Sequence, residues 1–207
     1  KDLLQAILEK LENKQLGLAE ETARKILEEI PRNKKQDSFE YSQLVAFVLD
    51  LQIKQGKEKE FIQTTQTYFE YAYEKLVDYY LRKKNYGQAI QTAEKGLQFA
   101  KGFEISDLKA KIAEAQKATG KTKEAFNSLL DAFTRDWDLA KYEQMKTLNP
   151  KNWGQDREVV LKRIENSGQR AVLAQALAID EDVGSLKKLL AQLRKDDDEE
   201  LRIIEKA

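Results

Sequence analysis

The stretch YEKLVDYYLRKKNYGQAIQTAEKGL, residues Tyr73–Leu97, predicts two α-helices joined by a tight turn. In its first half, Tyr73, Leu76 and Tyr80 recur at steps of three and four residues, which places them on one face of a helix. A polar turn follows, and the second helix carries the small residue Ala89 near its beginning. Because only a small side chain fits where two helix axes approach most closely, we expect the pair to form an antiparallel hairpin.

The same helical spacing continues on both sides of this hairpin, and no segment alternates between polar and apolar residues with a period of two. Gly17 interrupts the first stripe, and Pro31 ends the helix that follows because proline cannot lie inside a continuing helix. The polar residues Arg32–Ser38 predict a loop. The predicted helices cover Leu3–Leu11, Ala19–Ile30, Phe39–Gln55, Lys57–Thr67, Tyr68–Lys84, Gly87–Ala100, Ile105–Thr119, Lys121–Arg135, Trp137–Leu148, Asp156–Asn166, Arg170–Ile179 and Val183–Arg194, with a last one that begins near Asp196–Asp198. Helices of this length with short turns predict an all-α fold of stacked antiparallel hairpins.

One helix differs from the others in its pattern. The stretch Leu44–Ile53 is apolar nearly all round, interrupted only by Asp50 and Gln52. A helix that is apolar on every side is buried between neighbours. We therefore expect it inside the stack.

Two copies of one pattern resemble tetratricopeptide (TPR) repeats. The positions that carry the likeness are Tyr73, Leu76, Tyr80, Tyr86, Ala89, Ile90 and Leu97 in one copy, and Ile112, Gly120, Ala125, Phe126, Leu129, Ala132 and Phe133 in the next. Ala89 and Ala125 are 36 residues apart (125 − 89), close to the family period of about 34. In the second helices Ala93, Gly96 and Ala132 meet the same need for small residues. A third, degenerate copy places Phe61 where the family has a small residue.

The resemblance implies an α-α superhelix, a right-handed TPR-like solenoid with a concave groove that holds a partner segment. The repeats would cover residues 1–136, and residues 137–207 would continue the solenoid in degenerate form. Because Lys1 is not a methionine, we also expect the chain to be part of a longer protein.

A second resemblance concerns the region after the repeats. The run SLLDAFTRDWDLAKYEQMKTL, then Trp153 and the helix Arg157–Ile164, is similar to the helical C-terminal region of bacterial SWIM zinc-finger proteins. It implies a nucleic-acid-associated protein whose zinc-binding cysteines and histidine would lie upstream of Lys1.

The composition excludes several kinds of chemistry. The chain has no cysteine and no histidine, so it offers no thiol nucleophile, no Cys/His zinc site and no histidine general base. Its 36 basic and 36 acidic residues cancel, so no overall field attracts nucleic acid or an anionic membrane. No apolar run approaches the about 20 residues that cross a bilayer. We expect a cytoplasmic protein that is not an enzyme, has no cofactor or metal, and neither enters a membrane nor binds nucleic acid directly.

Two features could still suggest an enzyme. ATGKT, Ala118–Thr122, ends like a phosphate-binding loop, but Ala115 replaces the first glycine and a helix precedes it. We interpret it as a turn between helices. The many carboxylates could include an acid–base pair, although pairs such as Glu21 and Lys25 are typical of solvated helix faces. A carboxylate-only enzyme stays an alternative.

The predicted binding site lies on the first helix of each repeat. These positions should form an exposed stripe on the concave surface, opposite Tyr73 and Leu76, and an exposed tyrosine among charges is typical of an interface. Because the stripe is mostly acidic, the expected partner is a protein or peptide segment that carries basic residues. The predicted binding residues are Tyr71, Glu74, Asp78, Arg82, Asp107, Glu114 and Lys117.

Overall fold

A computed structural model of the chain describes residues 3–30 and 39–193. Within these two ranges every regular element is an α-helix and there is no strand, so the all-α prediction is confirmed for them. The predicted loop at Arg32–Ser38 and the helix expected near Asp196–Asp198 lie outside the described residues. The helices are α1 Leu3–Lys10, α2 Asn13–Glu29, α3 Phe39–Lys54, α4 Glu58–Thr67, α5 Phe69–Arg82, α6 Tyr86–Gly96, α7 Phe103–Ala118, α8 Thr122–Asp136, α9 Leu139–Leu148, α10 Trp153–Asn166, α11 Arg170–Ile179 and α12 Val183–Leu193.

The chain divides into two compact units, Lys1–Phe99 and Ala100–Ala207. In the first unit α3 packs against α1, α2, α4 and α5. Its buried side chains span more than half of its circumference, among them Val45, Phe47 and Leu49, which confirms the prediction that this helix lies between neighbours.

The prediction that Gly17 interrupts the chain between two helices is wrong. The break lies at Leu11 and Glu12, and Gly17 lies within α2. The backbone N–H of Glu12 donates to Oε1 of Gln15 at 2.9 Å, which satisfies a donor at the beginning of α2. A glycine inside a helix costs about 1 kcal/mol relative to alanine. The burial of Leu16 beside it outweighs that cost.

The hairpin of α5 and α6 has the small residues that the sequence predicts at its contact. Ala89 and Ala93 are buried, and Gly96 lies against the ring of Tyr73. The side chain of Asn85 accepts the backbone N–H of Gln88 at 3.4 Å and caps the beginning of α6.

In the second unit α7 and α8 form the corresponding hairpin, and Ala125 and Ala132 are fully buried in it. Gly120 makes the turn with a φ of +76°. ATGKT therefore forms the end of one helix and the turn to the next, as interpreted from the sequence. The remaining helices pack in sequence-neighbouring pairs, with α9 and α10 also touching α8 and α9 touching α11.

The predicted boundary between the repeats, residues 1–136, and their degenerate continuation, residues 137–207, falls inside the second unit, between α8 and α9. Trp137 ends α8 in a left-handed conformation with a φ of +56°. Asp138 then caps α9, since its Oδ1 accepts the backbone N–H of Ala140 at 3.0 Å. The predicted helix Trp137–Leu148 therefore begins two residues later, at Leu139.

Candidate binding pocket

A pocket of about 370 Å³ opens in the first unit, where the turn between α3 and α4 faces the last turns of α5. The turn itself is sharp because Gly56 has a φ of +70°, a conformation that glycine adopts without steric cost. The lining residues are Ile53, Gly56, Glu58, Phe61, Tyr79, Arg82 and Lys83.

The inner part of the pocket is apolar and aromatic. The side chain of Phe61 is 1% exposed and belongs to the core of the first unit. Its ring centroid lies 5.0 Å from that of Tyr79, with the planes tilted by 41°. Ile53 adds an aliphatic wall from the last turn of α3. Ile53 and Tyr79 are half-buried, so they present the apolar surface that a ligand side chain could contact, whereas Phe61 is covered by its neighbours.

The rim carries a carboxylate that already has partners. Lys83 forms an ion pair with Glu58, and the hydroxyl of Tyr79 donates to Glu58 Oε2 at 3.3 Å. The hydrogen bond and the charge of Lys83 lower the pKa of Glu58. Lys83 Nζ also lies 5.7 Å from the centroid of the Tyr79 ring, within cation–π range. Glu58 is therefore ionised at neutral pH and largely neutralised by Lys83.

Arg82 is the second cation on the rim and, unlike Lys83, it is not held in an ion pair with a described residue. Its side chain is exposed and has no hydrogen bond or ion pair with any residue that the structure describes. A guanidinium presents a planar fork of donors that matches a carboxylate. Arg82 therefore leaves an anion-binding group at the mouth of an apolar pocket.

The predicted stripe on α5 is less exposed than its helical spacing predicts. Arg82 is exposed, but Tyr71, Glu74 and Asp78 are half-buried. The ring of Tyr71 packs edge-on against Tyr41, with the centroids 5.0 Å apart. The reason is that α5 contacts three helices, α3, α4 and α6, so the core covers more than one face of it.

Of these α5 residues, only Arg82 lines the pocket. Asp107, Glu114 and Lys117 are exposed on α7, in the second unit. That they share a binding surface with α5 stays a prediction.

Sequence reasoning missed most of the pocket, whose residues come from α3, α4 and α5. The one signal for it was Phe61, a large residue where the repeat pattern expects a small one. Glu58, Tyr79 and Lys83 carry no distinctive pattern in the sequence. They line a common pocket only because the fold of the first unit brings them together.

A buried polar cluster lies elsewhere in the first unit, around Glu20 of α2. Its carboxylate accepts hydrogen bonds from Arg24, Gln52, Gln55 and Lys57 at 2.8–3.1 Å. Burial raises the pKa of Glu20, but these hydrogen bonds outweigh burial and bring the pKa to about 2. The cluster joins α2 to α3 and to the beginning of α4, which is a structural role.

A second cluster ties the helices of the second unit together at Asp180, just after α11. Its carboxylate accepts hydrogen bonds from the Tyr142 hydroxyl at 2.5 Å, from Arg157 Nε at 2.6 Å and from Trp153 Nε1 at 3.3 Å. Lys146 Nζ lies 3.0 Å from its Oδ1. Burial raises the pKa of Asp180, and the hydrogen bonds lower it more, so the net shift is downward.

Neither cluster resembles a metal site. Among residues 3–30 and 39–193, no group of three or more acidic side chains could hold a metal ion. None of the described helices combines the length and the apolar character that crossing a membrane requires.

The chain was compared with protein-family models, with curated proteins and with solved structures, and none of them matches it. The likeness to TPR repeats therefore rests on the residues of this chain alone.

Proposed function

We propose that this chain is a cytoplasmic protein–protein interaction scaffold, a TPR-like solenoid whose first-helix faces hold a segment of a partner protein. The observation that carries the proposal is the pocket at the end of α5. It combines an aromatic interior with a guanidinium that has no partner among the described residues. Aromatic groups and arginine are the residue types enriched in protein interfaces.

The burial of the small residues supports the repeat architecture. Ala89 and Ala125 hold equivalent positions in the two predicted copies, and both are buried at a helix–helix contact. That burial agrees with the hairpin that the TPR resemblance implies. The superhelical arrangement of the hairpins is part of the proposal.

The charges along α5 suggest how a partner would lie. Glu74 and Asp78 favour basic residues in the partner segment, and Arg82 favours an acidic one a turn further on. Because a helix rises about 1.5 Å per residue, Asp78 and Arg82 are about 6 Å apart along the axis. A segment running beside α5 would therefore need both kinds of charge.

The proposal is tested by affinity capture from a lysate of the source cells, with the purified chain as bait and mass spectrometry as the readout. The variant carries Glu74→Lys, Asp78→Lys and Arg82→Glu, the last of which lies in the pocket. The matched control carries Glu94→Lys, Glu143→Lys and Lys95→Glu, which make the same charge change at exposed positions away from α5. We expect the control to retain the proteins that the wild type captures and the α5 variant to lose them. Capture of the same proteins in the same amounts by both variants would contradict the proposed surface.

A further inference from the structure

We propose that the pocket at the end of α5 binds a large apolar side chain together with the carboxylate of a neighbouring Asp or Glu in the partner segment. This inference rests on the proposed function and names the ligand chemistry of one of its sites. It concerns an internal acidic segment of a protein, which contributes one apolar residue and one adjacent negative charge.

The size of the pocket suits one side chain. Its volume of about 370 Å³ lies near the lower end of the roughly 300–1,000 Å³ of small-molecule sites. Tyr79 and Ile53 are half-buried and present the apolar surface of the pocket, and Phe61 packs against Tyr79 from the core. An aromatic or branched aliphatic side chain would contact the aliphatic wall of Ile53 and the Tyr79 ring, the latter in the arrangements that aromatic pairs favour.

The charges around the mouth of the pocket determine which type of residue can lie beside the apolar residue in the partner segment. Arg82 and Lys83 carry two positive charges and Glu58 one negative charge, so the rim has an excess of one positive charge. Glu58 is held by Lys83 and by the Tyr79 hydroxyl, so it does not compete for Arg82. A basic ligand residue would meet repulsion at this end of α5, whereas a carboxylate can form a two-point contact with the guanidinium.

The helix dipole of α5 opposes an anion here, but the opposition is small. The C-terminus of a helix corresponds to roughly half a negative charge. Backbone N–H groups of residues 83–85 already bond to the carbonyls of Tyr79, Leu81 and Tyr80. A full guanidinium charge outweighs what remains of that partial charge.

A random twelve-residue library displayed on phage as an internal segment, with no free carboxyl end, tests this inference on the full chain. We expect the selected sequences to share a Trp, Phe or Leu beside an Asp or Glu. The tightest-binding sequence would then be synthesised as a peptide with both ends capped. Its affinity would be measured by calorimetry beside that of an amide peptide, in which Asn or Gln replaces the Asp or Glu. Loss of one charged hydrogen-bonding pair should weaken binding by at least about tenfold.

Arg82→Gln should weaken the binding of the acidic peptide by a similar factor and leave the binding of the amide peptide unchanged. Lys95→Gln is the matched control because Lys95 is also an exposed cation in the last turn of its helix, α6. It should change the affinity by less than about twofold, within the effect of a distant surface charge.

The outcomes separate this inference from the function on which it rests. Selected peptides that bind tightly but are indifferent to Arg82→Gln would overturn the inference and leave the scaffold proposal standing. The same holds if only a peptide with a free carboxyl end binds. A library that gives no binding sequence at all would count against both.

Discussion

Gly96 lies directly against the ring of Tyr73, so that a Cβ atom at position 96 would be 2.8 Å from Tyr73 Cδ2 and 2.9 Å from Cγ. Tyr73 is itself 5% exposed and packed in the core. The backbone of α6 therefore touches the side of an aromatic ring on α5 without any side chain between them. This contact sets the spacing of the hairpin.

We expect Gly96→Ala to lower the free energy of unfolding by about 1–3 kcal/mol, the usual cost of overpacking a core. The clash involves atoms close to the Tyr73 backbone, which cannot swing away as a flexible chain end can. Gly87→Ala is the control in the same helix, since nothing lies within 4 Å of its Cβ position. It should be neutral or stabilising by up to about 1 kcal/mol. Urea denaturation followed by circular dichroism would measure both, and equal midpoints would contradict the contact.

Enlarging either buried alanine should likewise overpack its hairpin. Ala89 is 1% exposed and Ala125 0%, so replacement by leucine should cost about 1–3 kcal/mol in each case. Ala140→Leu, at an exposed position of α9, should cost much less. Both tryptophans lie in the second unit, so their fluorescence reports on Ala125→Leu directly. Unchanged midpoints for both core variants would show that the repeat positions are misassigned.

Helix positions could be predicted well wherever apolar spacing and a helix-ending residue agree. The predicted Arg170–Ile179 coincides with α11 residue for residue, and the described part of the predicted Val183–Arg194 coincides with α12. At Trp137 the periodic pattern runs on, but the chain turns. There the ring of Trp137 packs edge-on against Phe133, one turn earlier in α8, and against the core that later helices complete, and this packing stabilises a backbone conformation that local propensity disfavours.

The candidate site was predictable only in part, for a related reason. Arg82 follows from helical geometry, since its place on α5 depends on local spacing alone. The half-burial of Tyr71 depends on Tyr41, which lies on another helix, and the pocket depends on Phe61 meeting Tyr79. Contacts between distant parts of the chain leave no periodic trace in the sequence.

The packing of Tyr71 changes what its truncation would do. Tyr71→Ala removes an aromatic pair with Tyr41, worth about 0.5–1.5 kcal/mol beyond the buried area, together with part of the packing against the core. We expect a loss of about 1–3 kcal/mol in unfolding free energy. Phe103→Ala is the control because Phe103 is 76% exposed, and it should have almost no effect. A variant at position 71 as stable as the wild type would mean that the Tyr41 contact contributes nothing.

The hydrogen-bonded cluster at Glu20 should make the free energy of unfolding depend on pH in the acidic range. Because the pKa of Glu20 lies at about 2, below the ordinary value of 4.5, its contribution is complete above about pH 4.5 and is lost as the pH falls toward 2. The side chain is 7% exposed, but Arg24 and Lys57 are 39% exposed, so screening limits the gain to the order of 2–3 kcal/mol. Glu20→Gln should lower stability at pH 7 and flatten the pH dependence between 5 and 2. Parallel curves for wild type and variant in urea titrations would contradict this assignment.

Two variants in the Asp180 cluster should lower the free energy of unfolding by different amounts. One removes a single hydrogen bond, and the other removes the acceptor that several donors share. Tyr142→Phe removes a single hydrogen bond to a carboxylate, which costs about 1.5–3 kcal/mol. Asp180→Ala removes the acceptor of Tyr142, Trp153 and Arg157 together and leaves buried donors without it, so we expect about 3–5 kcal/mol. Trp153 is the natural reporter, because its indole N–H bonds to Asp180 and its emission should change in the folded state of the Asp180 variant only. Asp131→Ala, at an exposed carboxylate of α8, is the control and should leave both stability and emission nearly unchanged. Equal losses for Tyr142→Phe and Asp180→Ala would mean that the carboxylate serves Tyr142 alone and does not join the helices of the second unit.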